Sequence, residues 1–108
     1  MSQNKFAGLR TAMRKSFPEL MDLTENFLLG DIWKRPGLTA RDRSLVTITA
    51  LIATNKSAEL KFHLRRAIEN GVTLAEIKAT IMHLAFYAGW PCAMTAVHVV
   101  MEEIEGNK

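Results

Sequence analysis

Cysteine is almost absent from this chain: Cys92 is the single one among 108 residues. One thiol cannot form a disulfide within the chain, which fits a protein kept in a reducing compartment. The sequence also lacks any apolar run near the roughly 20 residues that a membrane-spanning helix needs. Its first residues, MSQNKFAGLRTAMRKSF, lack the apolar centre of a signal peptide. These absences predict a cytoplasmic protein that does not bind a membrane.

Basic and acidic residues are nearly balanced, with a small excess of basic ones. The chain has 14 basic and 11 acidic residues, for a net charge of +3. Its lysines and arginines are scattered rather than clustered, so we expect no nucleic-acid partner. By contrast, 48% of the residues are hydrophobic. A single domain spanning residues 1–108 has trouble burying that much apolar surface, so we expect a homo-oligomer.

No segment shows the pattern of a strand, and nearly every apolar pattern has helical spacing. Turn and capping residues separate six predicted helices, which lie at about residues 3–15, 18–30, 40–54, 57–69, 74–88 and 91–104. Thr39 and Thr73 are the expected N-caps of the third and fifth helices. The predicted fold class is therefore all-α, a compact bundle of about six helices.

The apolar patterns also predict how three of these helices pack. ARDRSLVTITALIAT, residues 40–54, is apolar on almost every side past Arg43, which is typical of a buried helix. The fifth helix carries one stripe that we expect to face the core: Leu74, Ile77, Ile81, Leu84 and Ala88. The last helix carries another: Met94, Val97, Met101 and Ile104.

The segment KSAELKFHLRRA, residues 56–67, has the most unusual face. At 100° per residue, four apolar side chains form the core stripe of this helix: Leu60, Leu64, Ala67 and Ile68. His63 lies at the edge of that stripe, and Glu59, Phe62 and Arg66 fill the neighbouring sector. A plain solvated face rarely includes a phenylalanine, so this face suits a subunit interface or a polar-lined pocket.

Glu59 and His63 are four residues apart and face each other on this helix. Their spacing fits two interpretations, which are a surface contact that stabilises the helix and the acid–base pair of an active site. Histidine has a reference pKa of about 6.5 and suits proton transfer near neutral pH. The other two histidines, His83 and His98, add no spacing that indicates zinc, so we expect no metal.

Three stretches of the sequence resemble the carboxymuconolactone decarboxylase family: GDIWKRPGLTARDRSLVTITALIA, ELKFHLRRAIENGVT and AEIKATIMHLAFYAGWPCAMTAVHV. They lie within residues 30–102. The resemblance implies an all-helical domain of the alkylhydroperoxidase D-like type, in homo-oligomers that are typically trimers doubled into hexamers. It also implies a lyase, because the family's named member decarboxylates γ-carboxymuconolactone in the β-ketoadipate pathway of bacterial aromatic catabolism. That reaction uses no metal or cofactor, so none is expected here.

The resemblance and the chemistry of decarboxylation together give the expected site. His63 is expected to donate a proton and Glu59 to orient its imidazole, in a pocket at a subunit boundary. Arginine suits carboxylate binding because its guanidinium forms two parallel hydrogen bonds. The residues expected to bind a small carboxylated substrate are Arg43, Thr47, Arg66, Tyr87 and Trp90.

Two other functions stay open at this point. The peroxidase branch of the superfamily carries Cys-x-x-Cys, with a histidine four residues after the second cysteine. Aligning that motif on His63 puts Lys56 and Glu59 at the cysteine positions, so the sequence does not support a dithiol antioxidant protein. We expect Cys92 to be structural. A non-catalytic oligomeric binding protein on the same scaffold is the second alternative.

Overall fold

The computed structural model describes the backbone of residues 2–105 and the side chains of residues 7–105. Within that range the chain has six α-helices and no strand, which confirms the all-α fold class. The α-helices are α1 (Ser2–Ser16), α2 (Pro18–Asp22), α3 (Ala40–Ala53), α4 (Ser57–Glu69), α5 (Leu74–Tyr87) and α6 (Trp90–Val100). Wider π-helical turns continue α2 through Leu23–Leu28 and α6 through Met101–Glu105, and Ile32–Lys34 is a short 3-10 helix. None of the helices described is both long and apolar enough to cross a bilayer.

The chain divides into two units between Leu38 and Thr39. In the first unit, Arg14 on α1 contacts the carboxylates of Asp22 and Glu25 at 2.9 and 2.6 Å. These ion pairs are partly exposed to solvent, so water and salt screen them and they add little to stability. Several large apolar side chains of this unit are exposed: Leu9, Phe17, Leu20, Leu23 and Phe27.

The second unit contains α3 to α6 and the π-turn that follows α6. Helix α3 packs against α4, α5 and α6. The core takes side chains from all four helices and from the loop before α5: Ile48, Ile52, Leu60, Leu64, Ala67, Val72, Ile77, Ile81, Leu84, Ala93, Ala96, Val99 and Val100. The stripe predicted for α5 is confirmed, because its three central members are buried and its two end members pack against the core.

Three packing predictions are wrong for the single chain. Ile68 on α4 is 39% exposed, although it was predicted to be part of the core stripe of that helix. Val46 on α3 is 57% exposed, so that helix is not buried on all sides. Met94 and Met101 are 44% and 54% exposed, although both were predicted to face the core. The buried residues of α6 are small or β-branched: Ala93, Ala96, Val99 and Val100. Small side chains allow the backbone of α6 to approach its neighbours closely, which leaves the longer methionines outside.

Local hydrogen bonds fix where α5 begins. Thr73 Oγ1 accepts from the Glu76 N–H at 3.0 Å, and Glu76 Oε1 accepts from the Thr73 N–H at 2.9 Å. This is the predicted capping box, and it is confirmed. At the other end, Gly89 has a φ of 110° that side chains rarely adopt, so it separates α5 from α6.

Candidate active site

A three-residue turn at positions 54–56 joins α3 to α4. Asn55 adopts a left-handed φ of 58°, and its N–H donates to the Ile52 carbonyl at 3.1 Å. The next N–H, of Lys56, donates to the Leu51 carbonyl at 2.8 Å. These two bonds form a Schellman motif, which ends α3 and reverses the chain direction. Helices α3 and α4 are therefore antiparallel neighbours.

One hydrogen bond fixes the register of this helix pair. Asn70 Nδ2 donates to Ser44 Oγ at 2.9 Å, and Ser44 is 1% exposed. The end of α4 is thereby tied to the start of α3. The side chains that each helix turns inward are all buried: Ser44, Ile48 and Ile52 on α3, and Leu60, Leu64 and Ala67 on α4.

Five of the predicted site residues lie on one side of the α3–α4 pair. Each of these residues comes one position before a buried residue in the sequence. One residue is a rotation of 100° about the helix axis, so on both helices these side chains are turned from the core by about the same angle and in the same direction. Because the helices are antiparallel, the same rotation brings both rows to the same side of the pair. We call this surface the site face: Arg43 and Thr47 on α3, with Glu59, His63 and Arg66 on α4.

Ion pairs identify what covers the opposite side. Arg41 contacts the carboxylate of Glu76 at the start of α5. Arg65 donates from Nη2 to the Glu103 carbonyl at 3.1 Å, and its Nε is 3.7 Å from the Glu103 carboxylate. Arg41, three residues before the buried Ser44, lies on the core side of α3, so the start of α5 packs there. Arg65 stands on the flank of α4 opposite His63, so the turn Met101–Glu105 lies on the side away from the site face.

The register also gives the order of residues along the site face. Arg43 lies at one end, Thr47 is almost level with Arg66, His63 comes next, and Glu59 lies at the other end. At 1.5 Å per residue the row spans roughly 18 Å. His63 and Arg66 are thus immediate neighbours, whereas Arg43 and Glu59 are far apart.

His63 is a half-buried, neutral imidazole in this structure. Its Nδ1 atom is inaccessible to solvent, and the Phe62 ring stands edge-on to it with centroids 5.0 Å apart and planes at 84°. Burial, and secondarily the positive charge of Arg66, lowers the pKa of His63 from 6.5 to about 4. Both causes disfavour the charged form. At pH 7 the ring therefore offers an N–H rather than an imidazolium.

The expected ion pair between Glu59 and His63 is not formed in the single chain. Glu59 is exposed, and its carboxylate makes no hydrogen bond or ion pair with any residue from 7 to 105. A neutral imidazole gives the carboxylate no charge to approach, so the carboxylate stays in water. The nearby charge that acts on the imidazole is Arg66. An orienting role for Glu59 stays a prediction.

Arg43 and Arg66 give the site face its positive charge. Both side chains are half-buried, and the Nε atom of each is inaccessible to solvent. Glu59 is the only carboxylate on this face, and it lies at the far end from Arg43. An anion is therefore attracted to the part of the face between Arg43 and His63, where Thr47 adds a hydroxyl.

Tyr87 and Trp90 lie elsewhere. The Cys92 thiol, two residues after Trp90, is 3.8 Å from the Ala53 carbonyl at the end of α3. Ala53 is roughly 15 Å along the helix from Arg43 and close to the level of Glu59, so Trp90 is nearer to the Glu59 end of the α3–α4 pair than to Arg43. Tyr87 and Trp90 are also 78% and 57% exposed, so they do not wall a cavity in the single chain. Their contact with substrate stays a prediction.

A shallow surface groove lies beside Cys92, between the α3–α4 turn and α6. None of the seven predicted site residues lines it. The thiol of Cys92 is half-buried and directed at the Ala53 carbonyl. This packing is consistent with the structural role predicted for Cys92.

Two contributors to the site were not predicted from the sequence. Asn70 lies just past the predicted fourth helix, yet its hydrogen bond to Ser44 sets the register. Phe62 was recognised as unusual on a polar face but was not assigned to the site, although its ring packs on His63. An aromatic residue next to a histidine on such a face was the available signal for Phe62.

Comparison with known proteins gives consistent matches. Residues 18–102 match the family model of the carboxymuconolactone decarboxylase family, and this match starts before the expected residue 30. The chain is 42% identical over 84 residues to 4-carboxymuconolactone decarboxylase of Acinetobacter baylyi. It is 39% identical over 83 residues to nitrosuccinic acid decarboxylase of Metarhizium robertsii, and 33% identical over 91 residues to an uncharacterized 15.0 kDa protein of Paracoccus denitrificans.

These matches cover most of this chain but less of its relatives. They include 78%, 77% and 82% of the chain, respectively. The chain spans 63% and 58% of the length of the two named decarboxylases, and 67% of the third protein.

Proposed function

The chain belongs to the carboxymuconolactone decarboxylase family, and we propose that it is a cofactor-independent decarboxylase of a small carboxylated substrate. The observation that supports this function is the site face, on which two arginines and a hydroxyl accompany a half-buried imidazole. Arginines suit the binding of carboxylates, and an imidazole suits the transfer of one proton.

In the proposed reaction, Arg66 and Arg43 bind carboxylate oxygens and Thr47 donates a hydrogen bond to the substrate. The bond between carbon and one carboxylate breaks, CO₂ leaves, and the electron pair stays on the carbon as an enolate or carbanion. His63 transfers a proton to that carbon. Water then returns a proton to the imidazole, so the enzyme is unchanged by the turnover.

Because the pKa of His63 is low, we propose that substrate binding also raises this pKa. A carboxylate bound beside Arg66 offsets the positive charge that contributes to the low pKa. The pKa of His63 then rises, and the imidazole takes up the proton that it later donates. Once protonated, the ring attracts a carboxylate one helical turn away, and we propose that Glu59 orients it at that stage.

We propose a carboxylated lactone such as γ-carboxymuconolactone as the substrate, or another small acid in aromatic-compound catabolism. Two of the relatives carry the names of decarboxylases for 4-carboxymuconolactone and for nitrosuccinic acid. We also propose a homo-oligomer, a trimer or hexamer, in which a neighbouring subunit completes the pocket. Tyr87 and Trp90 of a neighbouring copy are the proposed additional walls.

The test is CO₂ release from 4-carboxymuconolactone and from nitrosuccinic acid. We expect His63→Ala to lose roughly 10²-fold or more of the rate, which is the usual scale for a general acid. His98→Ala is the matched control, because His98 is an exposed histidine on α6, and it should retain the wild-type rate. Wild-type rates in His63→Ala would refute the role of His63. No release by the wild type from either acid would refute the proposed substrates.

A further inference from the structure

Phe62 on α4 is half-buried although it points away from the core. At 100° per residue, it lies about 165° from the middle of the buried stripe of Leu60, Leu64 and Ala67. A phenylalanine on that side of a helix is usually left in water, as Phe86 on α5 is at 70% exposure. Phe62 is instead half-buried, so neighbouring side chains cover much of its ring.

The imidazole of the next residue, His63, is one of these neighbours. Consecutive residues on a helix point 100° apart and do not normally face each other. Here the two ring centroids are 5.0 Å apart and the ring planes meet at 84°. This edge-to-face geometry lies in the range that aromatic rings prefer. The two side chains are therefore turned toward each other, which helical spacing alone does not produce.

His63 lies between the buried stripe of α4 and Phe62. It is about 65° from the middle of that stripe on one side and 100° from Phe62 on the other. The imidazole is half-buried, and its Nδ1 atom is inaccessible to solvent. The last torsion of a histidine side chain is soft when nothing contacts the ring. Rotation about it here would break the perpendicular contact with Phe62.

We propose that Phe62 is a positioning residue of the site face, whose ring fixes the plane of the His63 imidazole and excludes water from one side of it. The proposal rests on the proposed function in one respect, which is that the imidazole serves as a proton donor. Such a donor must point at the atom that it protonates, so free rotation of the imidazole costs rate. Phe62 has no group that titrates or donates a proton, so it acts through His63.

The electrostatics of the site face agree with this geometry. Burial is the larger cause of the low pKa of His63, and the charge of Arg66 is the smaller. An apolar ring against the imidazole removes water that would stabilise its charged form. The charged groups of the site face are Arg66 and Glu59 on α4 and Arg43 on α3, and a substitution of Phe62 changes none of them. A changed titration of His63 in such a variant therefore reports the loss of the ring.

An NMR titration of His63 tests the contact directly. Phe62→Ala removes the ring and introduces a residue that favours helix, so we expect the variant to fold, with unchanged helical circular dichroism. Water then reaches the imidazole, and the midpoint of His63 should rise toward 6.5 by at least about half a pH unit. Phe62→Tyr keeps the ring and should keep the wild-type midpoint. Phe17→Ala is the matched control, because Phe17 is 62% exposed in the first unit, and it should also keep that midpoint.

The kinetics of CO₂ release, on a substrate that the wild type turns over, test what the contact does for catalysis. Loss of a positioning residue lowers kcat rather than weakening substrate binding. Phe62→Ala should lower kcat roughly tenfold and keep KM within about threefold of wild type, whereas Phe62→Tyr should keep both near the wild-type values.

Three results would each overturn the proposal. They are an unchanged or lower His63 midpoint in Phe62→Ala, an equal change in Phe17→Ala, and a kinetic loss confined to KM. If the wild type released no CO₂ from either acid, the proposed decarboxylase function would be refuted. The NMR titration would still decide whether Phe62 holds the imidazole, because it needs no substrate.

Discussion

Acid should weaken this fold through His63, and the structure sets the range of pH. Above pH 6.5 neither the folded nor the unfolded chain holds the extra proton, so His63 has no effect on stability there. Between pH 6.5 and about 4 the unfolded chain binds the proton and the folded chain does not. The free energy of unfolding therefore falls as the pH falls through this range, and the loss is complete below about pH 4.

The size of the loss follows from the shift in pKa. A change from 6.5 to about 4 is worth about 3 kcal/mol at 1.36 kcal/mol per unit. The ring is only half-buried, so solvent screens part of this energy, and we expect about 1–2 kcal/mol. That is a large share of the stability of a typical small domain.

The experiment compares wild type with His63→Gln, which keeps a polar side chain but cannot titrate. Urea unfolding, followed by helical circular dichroism at one fixed chain concentration, gives the free energy of unfolding at pH 7 and at pH 4.5. Carboxylates titrate in the same range, but they are common to both proteins and cancel in the comparison. We expect the wild type to lose about 1–2 kcal/mol more than His63→Gln. Equal losses would mean that His63 is not buried as described.

Other substitutions test the roles of Arg66, Glu59 and Cys92. Arg66→Met removes one cause of the low pKa, so an NMR titration of His63 should show a higher midpoint than in the wild type; an unchanged midpoint would leave burial as the whole cause. On a substrate that the wild type turns over, Glu59→Gln should lower the rate less than His63→Ala and shift the pH profile, and an unshifted profile would argue against an orienting role. Cys92→Ala should keep the helical content and the turnover within a few-fold of wild type. Complete loss of turnover in that variant would favour thiol chemistry instead.

How well each helix was predicted depended on how unevenly its apolar residues were spread. Helix α5 was predicted well, and so was α4 except for Ile68, because polar residues mark where their core stripes end. Helices α3 and α6 are apolar on several sides, so their sequences did not decide which side turns inward. Tertiary packing decided which side turns inward, and this packing left Val46, Met94 and Met101 exposed.

The candidate site was also predicted only in part from the sequence. Helical spacing correctly grouped Glu59, His63 and Arg66 on one helix and Arg43 with Thr47 on another. It could not show that the two groups share one side, because that depends on the turn and on the contact between the helices. The low pKa of His63 was also beyond the sequence, since it results mainly from the burial of the ring in the folded chain.

The tight turn at residues 54–56 affects how this protein folds as well as where its site lies. All residues of the site face come from positions 43 to 66, on two helices that are consecutive in the chain. Contacts between such close segments have low contact order, and they form on the microsecond-to-millisecond scale typical of helical proteins. The α3–α4 hairpin can therefore assemble before α5 and α6 are in place. The residues that carry the proposed chemistry therefore meet early in folding.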